Sequence, residues 1–265
     1  MVNEAPRFTV GNFGKALASP LYSFFLVLNR GDRRLATIQA TRWKRLFWSR
    51  SRTIQEMETL RPHCCWQPEK VDFVLDCVRR TEGLDGDIVE LGCYQGGGTL
   101  LMAEALRGMD SSRTIWSFDS FEGFPEVLNE DRTENGECHA TEERFRDTSA
   151  RAVRETMRFF GVDGYVRIVE GDFVDTVPET LAGTDRTFSL VIIDCDVYAG
   201  AKFCLAYFVP KVTPGGIIVV DDYGTPGELD SSTYPGVRKA VDEYLDGDTG
   251  RLVHGARSMW YMTKE

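Results

Sequence analysis

The stretch Gly86-Asp87-Ile88-Val89-Glu90-Leu91-Gly92-Cys93-Tyr94-Gln95-Gly96-Gly97-Gly98-Thr99 constrains the rest of the chain most. A short apolar run, Ile88 to Leu91, ends at a glycine turn, and Leu100 to Leu106 then reads as helix. Strand, tight turn and helix start form the opening unit of an open α/β sheet that holds a nucleotide-like ligand at its strand ends. The turn is not a dinucleotide fingerprint. Counted from Gly92, the second glycine of G-x-G-x-x-G falls on Tyr94, whose bulk keeps the backbone off a pyrophosphate. Nor is there a G-K-[ST] phosphate loop. What stands here is E-x-G-x-x-x-G, carried by Glu90, Gly92 and Gly96.

Strand and helix signals alternate after this unit. Thr114 to Phe118 reads as a strand ending at Asp119, and Tyr165 to Glu170 as one ending at Gly171-Asp172. Ser189 to Ile193 and Ile217 to Val220 are near-continuously apolar, as parallel strands buried on both faces are. Helices are expected over 68–81, 148–160, 200–209 and 235–245, and an antiparallel pair over 251–254 and 258–262. The pattern is that of a doubly wound α/β sheet. Residues 120–147 are long, polar and acid-rich, which suits a lid or binding loop.

The formal net charge of −10 argues against general nucleic-acid binding, which calls for a basic face. It is unevenly placed: residues 1–62 hold eleven Lys/Arg against four Asp/Glu. There, the apolar stretch Leu21 to Leu28 precedes Arg30, Arg33, Arg34, Arg42, Lys44, Arg45, Arg50 and Arg52. Such an arm could lie on an anionic membrane surface, but eight apolar residues are a weak anchor. It is read as a helical arm, residues 1–67, that packs on its own domain or a second subunit, beside a domain over 68–265. Seven cysteines without C-x-x-C spacing read as reduced thiols of a cytoplasmic protein. No run approaches the ~20 apolar residues of a membrane span, and Met1 to Arg7 lacks a signal-peptide layout.

Three acids, Asp194, Asp221 and Asp222, stand where two apolar strands run out. Neighbouring strands lie about 4.8 Å apart, so these carboxylates would repel one another unless something positive sits between them. A hard divalent cation resolves this, and Mg²⁺ suits an all-oxygen shell. Each acid alone could equally be a helix cap, the role expected for Asp196 as readily as any other.

The chain also resembles a known family. Glu90, Gly92 and Gly96 resemble the first motif of class I S-adenosylmethionine methyltransferases. Phe118-Asp119-Ser120-Phe121-Glu122-Gly123-Phe124-Pro125 is similar to the D-S-F-E-G-x-P of the macrocin O-methyltransferase family. So are Gly171-Asp172-Phe173 with Asp175-Thr176, Asp194-x-Asp196-x-Tyr198, and Gly215-Gly216 through Asp221-Asp222-Tyr223. The resemblance implies a Rossmann-like class I sheet of order 3-2-1-4-5 with an antiparallel edge. It implies S-adenosylmethionine and Mg²⁺ as cofactors and a sugar hydroxyl as methyl acceptor. Carried over by motif, Glu90, Leu91, Gly92, Tyr94, Gly96, Thr99, Asp119, Ser120, Gly171, Asp172 and Asp194 would contact the cofactor. Asp194, Asp221 and Asp222 would hold the metal, with Asp194 also a candidate base. This chain departs from the pattern at Cys195, where family members often have glycine, and after Tyr198.

Histidine is the usual general base. His63 and His254 fall at structural positions, whereas His139, in the lid, could reach a substrate. The expected activity is therefore transfer of a methyl group to a small-molecule hydroxyl, by a homo-oligomer. The alternatives are the same chemistry on a phenol or catechol, a non-catalytic module that kept the fold, and an NAD oxidoreductase, which Tyr94 disfavours.

Overall fold

The computed structural model describes residues 25–44, 61–124, 127–141, 144–227 and 233–265. Part of the arm stretch singled out above (Leu21 to Phe24, and Arg45, Arg50 and Arg52) lies outside them. The strands are β1 (Asp87–Leu91), β2 (Ile115–Asp119), β3 (Val166–Glu170), β4 (Phe188–Ile193), β5 (Val212–Val220), β6 (Val253–Ala256) and β7 (Met259–Thr263). The helices are α1 (Arg33–Lys44), α2 (Pro68–Arg80), α3 (Gly97–Gly108), α4 (Ala150–Phe160), α5 (Phe173–Leu181), α6 (Tyr198–Phe208) and α7 (Pro235–Tyr244).

The sheet order is β3-β2-β1-β4-β5-β7-β6, parallel from β3 to β5 and antiparallel at β7 and β6. That is the 3-2-1-4-5 order and antiparallel edge expected from sequence. Alternate strand residues feed two cores. Ile88, Ile115, Leu190, Ile192 and Val219 pack under α2, α3 and α4. Val89, Leu91, Val191, Ile193, Ile218 and Val220 pack under α5, α6 and α7. Every residue of β4 is buried, which is why that run shows no polar alternation.

Local signals set the helix ends. Pro68 opens α2, with Glu69 in its first turn and Arg79 and Arg80 in its last, as the helix dipole favours. Ser149 caps α4 by accepting the Ala152 N–H, and Gly161 closes it at φ 69°. The helix α5 has no counterpart in the sequence reading, because Pro178 lies inside it. Asp172 caps it, and burial of Val177 and Leu181 against the sheet outweighs the proline. β5 begins at Val212, earlier than the apolar run, and Val212 pairs with Phe188. The Pro-Gly-Gly segment then bulges, with Gly215 at φ 82° and its N–H donating to the Lys264 carbonyl, and pairing resumes at Leu190 and Ile217. Among the described residues no helix is long and apolar enough to cross a membrane.

Gly92 is the position where the backbone has least freedom. Its φ is 97°, and an added Cβ would overlap the Asp194 carbonyl oxygen where β1 and β4 diverge. Gly92→Ala combines left-handed strain with a backbone clash, so it should cost at least about 3 kcal/mol in urea denaturation. Gly164→Ala, facing open space, should stay within about 0.5 kcal/mol of the parent.

Candidate functional site at the carboxyl ends of the strands

The glycine turn is built around Asp119. Its Oδ2 accepts the N–H groups of Cys93 (2.9 Å) and Tyr94 (2.7 Å), and its Oδ1 accepts that of Phe121 (2.8 Å). Of the roughly four acceptor positions of a carboxylate, three are thus filled from the backbone. Burial raises the Asp119 pKa, and these three donors oppose the rise. Tyr94 takes a left-handed φ of 50° to make the turn, and its hydroxyl donates to Asp147 at 2.6 Å.

Glu90 lies beneath the turn, 1% exposed. It accepts the hydroxyls of Thr99 and, at 2.8 Å, Ser117, tying β1 to α3 and β2. Burial lifts its pKa to about 7, against the pull of those two hydroxyls. Leu91 and Thr99 are fully buried, and Gly96 faces Val153 and Met157 of α4. None of these four lines the cleft; they shape the turn from below.

A second layer comes from the chain before α2. The backbone of His63 and Cys64 crosses Gly97, and the Trp66 indole lies on Gly98, so neither glycine has room for a Cβ. The Trp66 indole N–H donates to Asp194 Oδ2 at 2.7 Å. Cys65, Trp66 and Gln67, which the sequence reading gives to the arm, therefore line the same cleft as the strand ends. In α1, Arg34 donates to the side chain of Gln95 in the turn, and burial lowers its pKa to about 10.

The cleft has a volume of about 360 Å³. Gly92, Tyr94, Asp119, Ser120, Gly171 and Asp172 line one end, and Asp194, Asp196, Asp221 and Asp222 the other. One carboxylate oxygen from each of Asp194, Asp221 and Asp222 lies within 4.8 Å of the others. Burial raises the pKa of Asp194 well above the usual carboxylate range, and Asp221 and Asp222 add to the rise. Asp196 is raised too, by burial and then by Asp222. Asp221 accepts Lys70 Nζ on both oxygens, at 2.6 and 2.7 Å. Ser258 donates to Asp221 at 2.9 Å and to Asp222 at 3.2 Å.

Asp196 does not cap α6. Asp131, from the lid, accepts the Tyr198 N–H at 2.6 Å and is 4% exposed. Asp196 instead has φ 62° and turns its carboxyl towards Asp222. His139 stands off the cleft wall, its ring centroid 6.5 Å from that of Tyr234. The lid side of the cleft is made by Phe124, Arg144, Phe145 and Tyr234, with Arg144 donating to the Tyr234 hydroxyl at 2.8 Å. Sequence reasoning missed Trp66, Lys70, Arg144 and Tyr234. A lysine in the first turn of a helix, where the dipole repels it, was the available signal for Lys70.

Comparison with known proteins agrees with this fold. The model of the macrocin-O-methyltransferase (TylF) family matches residues 68–248. The demethyldecarbamoylnovobiocin O-methyltransferase of Streptomyces niveus is 34% identical over 182 residues, 66% of this chain and 65% of that protein. The 8-demethyl-8-(2,3-dimethoxy-alpha-L-rhamnosyl)-tetracenomycin-C 4'-O-methyltransferase of Streptomyces olivaceus is 31% identical over 167 residues, 58% of this chain and 60% of that one. The matched part spans about three-fifths of the length of such curated relatives. The crystal structure of CalS11, a calicheamicin methyltransferase, is similar with a TM-score of 0.60 at 25% identity, covering 99% of this chain and 94% of that one.

Glu90 carries a pH signature. Its folded pKa of about 7 lies above the ordinary 4.5, so the folded state binds more protons between those values and loses stability as pH rises through that window. At about 1.4 kcal/mol for each pKa unit, the penalty above pH 7 is on the order of 3 kcal/mol. Glu90→Gln removes the charge and keeps a hydrogen-bonding group. Urea melts from pH 4.5 to 8 should show the variant gaining on the parent across the window.

Proposed function

The chain belongs to the macrocin O-methyltransferase family, and on that footing we propose that it moves the methyl group of S-adenosylmethionine to a sugar hydroxyl, with Mg²⁺ held by Asp194, Asp221 and Asp222. The observation that carries this reading is the convergence of three carboxylate oxygens within 4.8 Å of one another in a cleft whose other end is the glycine turn. The donor set fits a hard dication: all oxygen, and four acids at this end of the cleft beside the single ammonium of Lys70, with Arg144 on the lid side. The sugar acceptor is supported by the rhamnosyl group in the name of the S. olivaceus relative.

Methyl transfer is an in-line displacement. A lone pair on the acceptor oxygen forms the new C–O bond, the C–S pair leaves on sulfur as S-adenosylhomocysteine, and the hydroxyl proton goes to a base. The protein's part is alignment and exclusion of water. Tyr94, Phe124 and Phe145 form a contiguous aromatic edge over the turn, with ring centroids 4.9 and 5.3 Å apart. Trp66 engages Asp194 Oδ2, which leaves Oδ1 for the cleft. Asp194 and Asp196, both with raised pKa values on the cleft wall, are the groups suited to take the proton. When bound, the cation would polarise the acceptor hydroxyl and lower its pKa.

Incubation with S-adenosylmethionine, Mg²⁺ and a panel of glycosides and catechols, read by mass spectrometry, tests the reading. Methylation of catechols alone would replace the sugar acceptor. EDTA should abolish turnover while calorimetry still shows S-adenosylhomocysteine binding, because the cofactor is assigned to the first two strand ends. Asp222→Asn should weaken Mg²⁺ by at least the roughly 10–100-fold typical of changes around a metal ligand. Full turnover in EDTA would remove the metal from the reaction.

A further inference from the structure

We infer that Lys70 is a built-in counter-cation of the strand-end carboxylates, one that holds the cluster together without a dication and weakens the cluster's grip on one. The inference rests on the metal reading above and says how tightly, and at whose expense, that metal is held.

Lys70 occupies the first turn of α2 and is 6% exposed. Both features oppose an ammonium: the helix dipole is positive there, and burial removes its hydration. What offsets them is Asp221, 4% exposed, which takes the ammonium on both oxygens. Asp221 Oδ1 also accepts the Asp222 N–H at 2.7 Å and the Ser258 hydroxyl at 2.9 Å, so that oxygen is filled from within the protein. Asp221 offers the cleft little beyond Oδ2, already shared with Lys70.

The charge balance points the same way. The cleft brings together Asp194, Asp196, Asp221 and Asp222. Among the described residues lining it, the cations are Lys70 and Arg144. Arg144 is exposed and donates to the Tyr234 hydroxyl and the His139 carbonyl, on the lid side. Lys70 is thus the cation in contact with the acids. Removing one partner of a buried ion pair leaves the other charge uncompensated. Any ligand that repairs this deficit binds the folded state more tightly by the free energy it restores. A dication arriving among these acids therefore competes with Lys70 for Asp221 in the parent and replaces it in a variant lacking the ammonium.

The test uses the full chain and four proteins: parent, Lys70→Arg, Lys70→Met, and Lys70→Met/Asp221→Asn. Each is titrated with MgCl₂ by calorimetry and melted in EDTA and in excess Mg²⁺. The expected results are a parent whose melting temperature moves little between the two conditions, and a Lys70→Met variant that melts lower in EDTA, is largely restored by Mg²⁺, and binds Mg²⁺ at least about tenfold more tightly. Lys70→Arg should behave as the parent. The double variant should regain stability in EDTA and bind Mg²⁺ more weakly than the parent. If Lys70→Met folds only with Mg²⁺, the inference holds. If it folds under neither condition, a folded double variant upholds the inference and an unfolded one overturns it. A folded Lys70→Met protein with parental or weaker Mg²⁺ affinity also overturns it, since a lysine that merely packs would give that result. A parent that binds no Mg²⁺ overturns the metal reading itself, and the counter-cation role with it.

Discussion

Like charge gathered at low hydration is the constraint around which this molecule is arranged. A parallel sheet ends its strands at one edge, and β4 and β5 bring Asp194, Asp196, Asp221 and Asp222 to that edge within one cleft. Carboxylates so placed repel one another and favour separation. The surrounding structure supplies the compensation in small parts: an indole N–H from Trp66, an ammonium from Lys70, a hydroxyl from Ser258 and a backbone N–H from Asp222. Trp66 and Lys70 come from the segment before the first strand and Ser258 from the turn before the last, so the two ends of the domain meet at the acids.

The glycine turn follows a related logic on the other side of the cleft. Asp119 and Glu90 are both carboxylates beside the turn proposed to receive the cationic sulfonium ligand, yet most of their acceptor capacity is spent on the protein. Asp119 holds three backbone N–H groups, and Glu90 holds two hydroxyls. Their first effect is to fix the shape of the turn. The position of Asp119 on the cleft wall leaves it one further acceptor direction, while Glu90, sealed beneath, acts on a ligand only through its field.

The parts legible in sequence were those in which local pattern and tertiary environment agree. Strands β4 and β5 are buried on both faces and read as apolar runs. The helices α2 and α4 carry their caps and apolar faces in order. Where packing overrides pattern, the reading failed, as at α5 with its internal Pro178. The site shows the same division. Asp194, Asp221 and Asp222 stand at ends of recognisable strands, so their meeting could be foreseen. Asp131 replaced Asp196 as the cap of α6 because a lid of no regular period delivers it from 67 positions away. Gly97 and Gly98 were legible as glycines but not as the floor under a crossing chain, since that chain's position depends on Trp66 finding Asp194.

The long reach of those two compensating bonds bears on how the chain is assembled. Trp66 is 128 positions from Asp194, and Lys70 is 151 positions from Asp221. Contacts of such separation form late, because the intervening chain must be ordered before they can close. A nascent chain, emerging amino end first at roughly 5–20 residues per second, presents an indole and an ammonium destined for burial well before β4 and β5 leave the ribosome. Helix α2 can coil early on its own signals, but its first turn has no partner until residue 221 arrives. Completion of the Lys70 contact therefore waits for the last parallel strand, and a chain stalled short of β5 would leave Lys70 without Asp221.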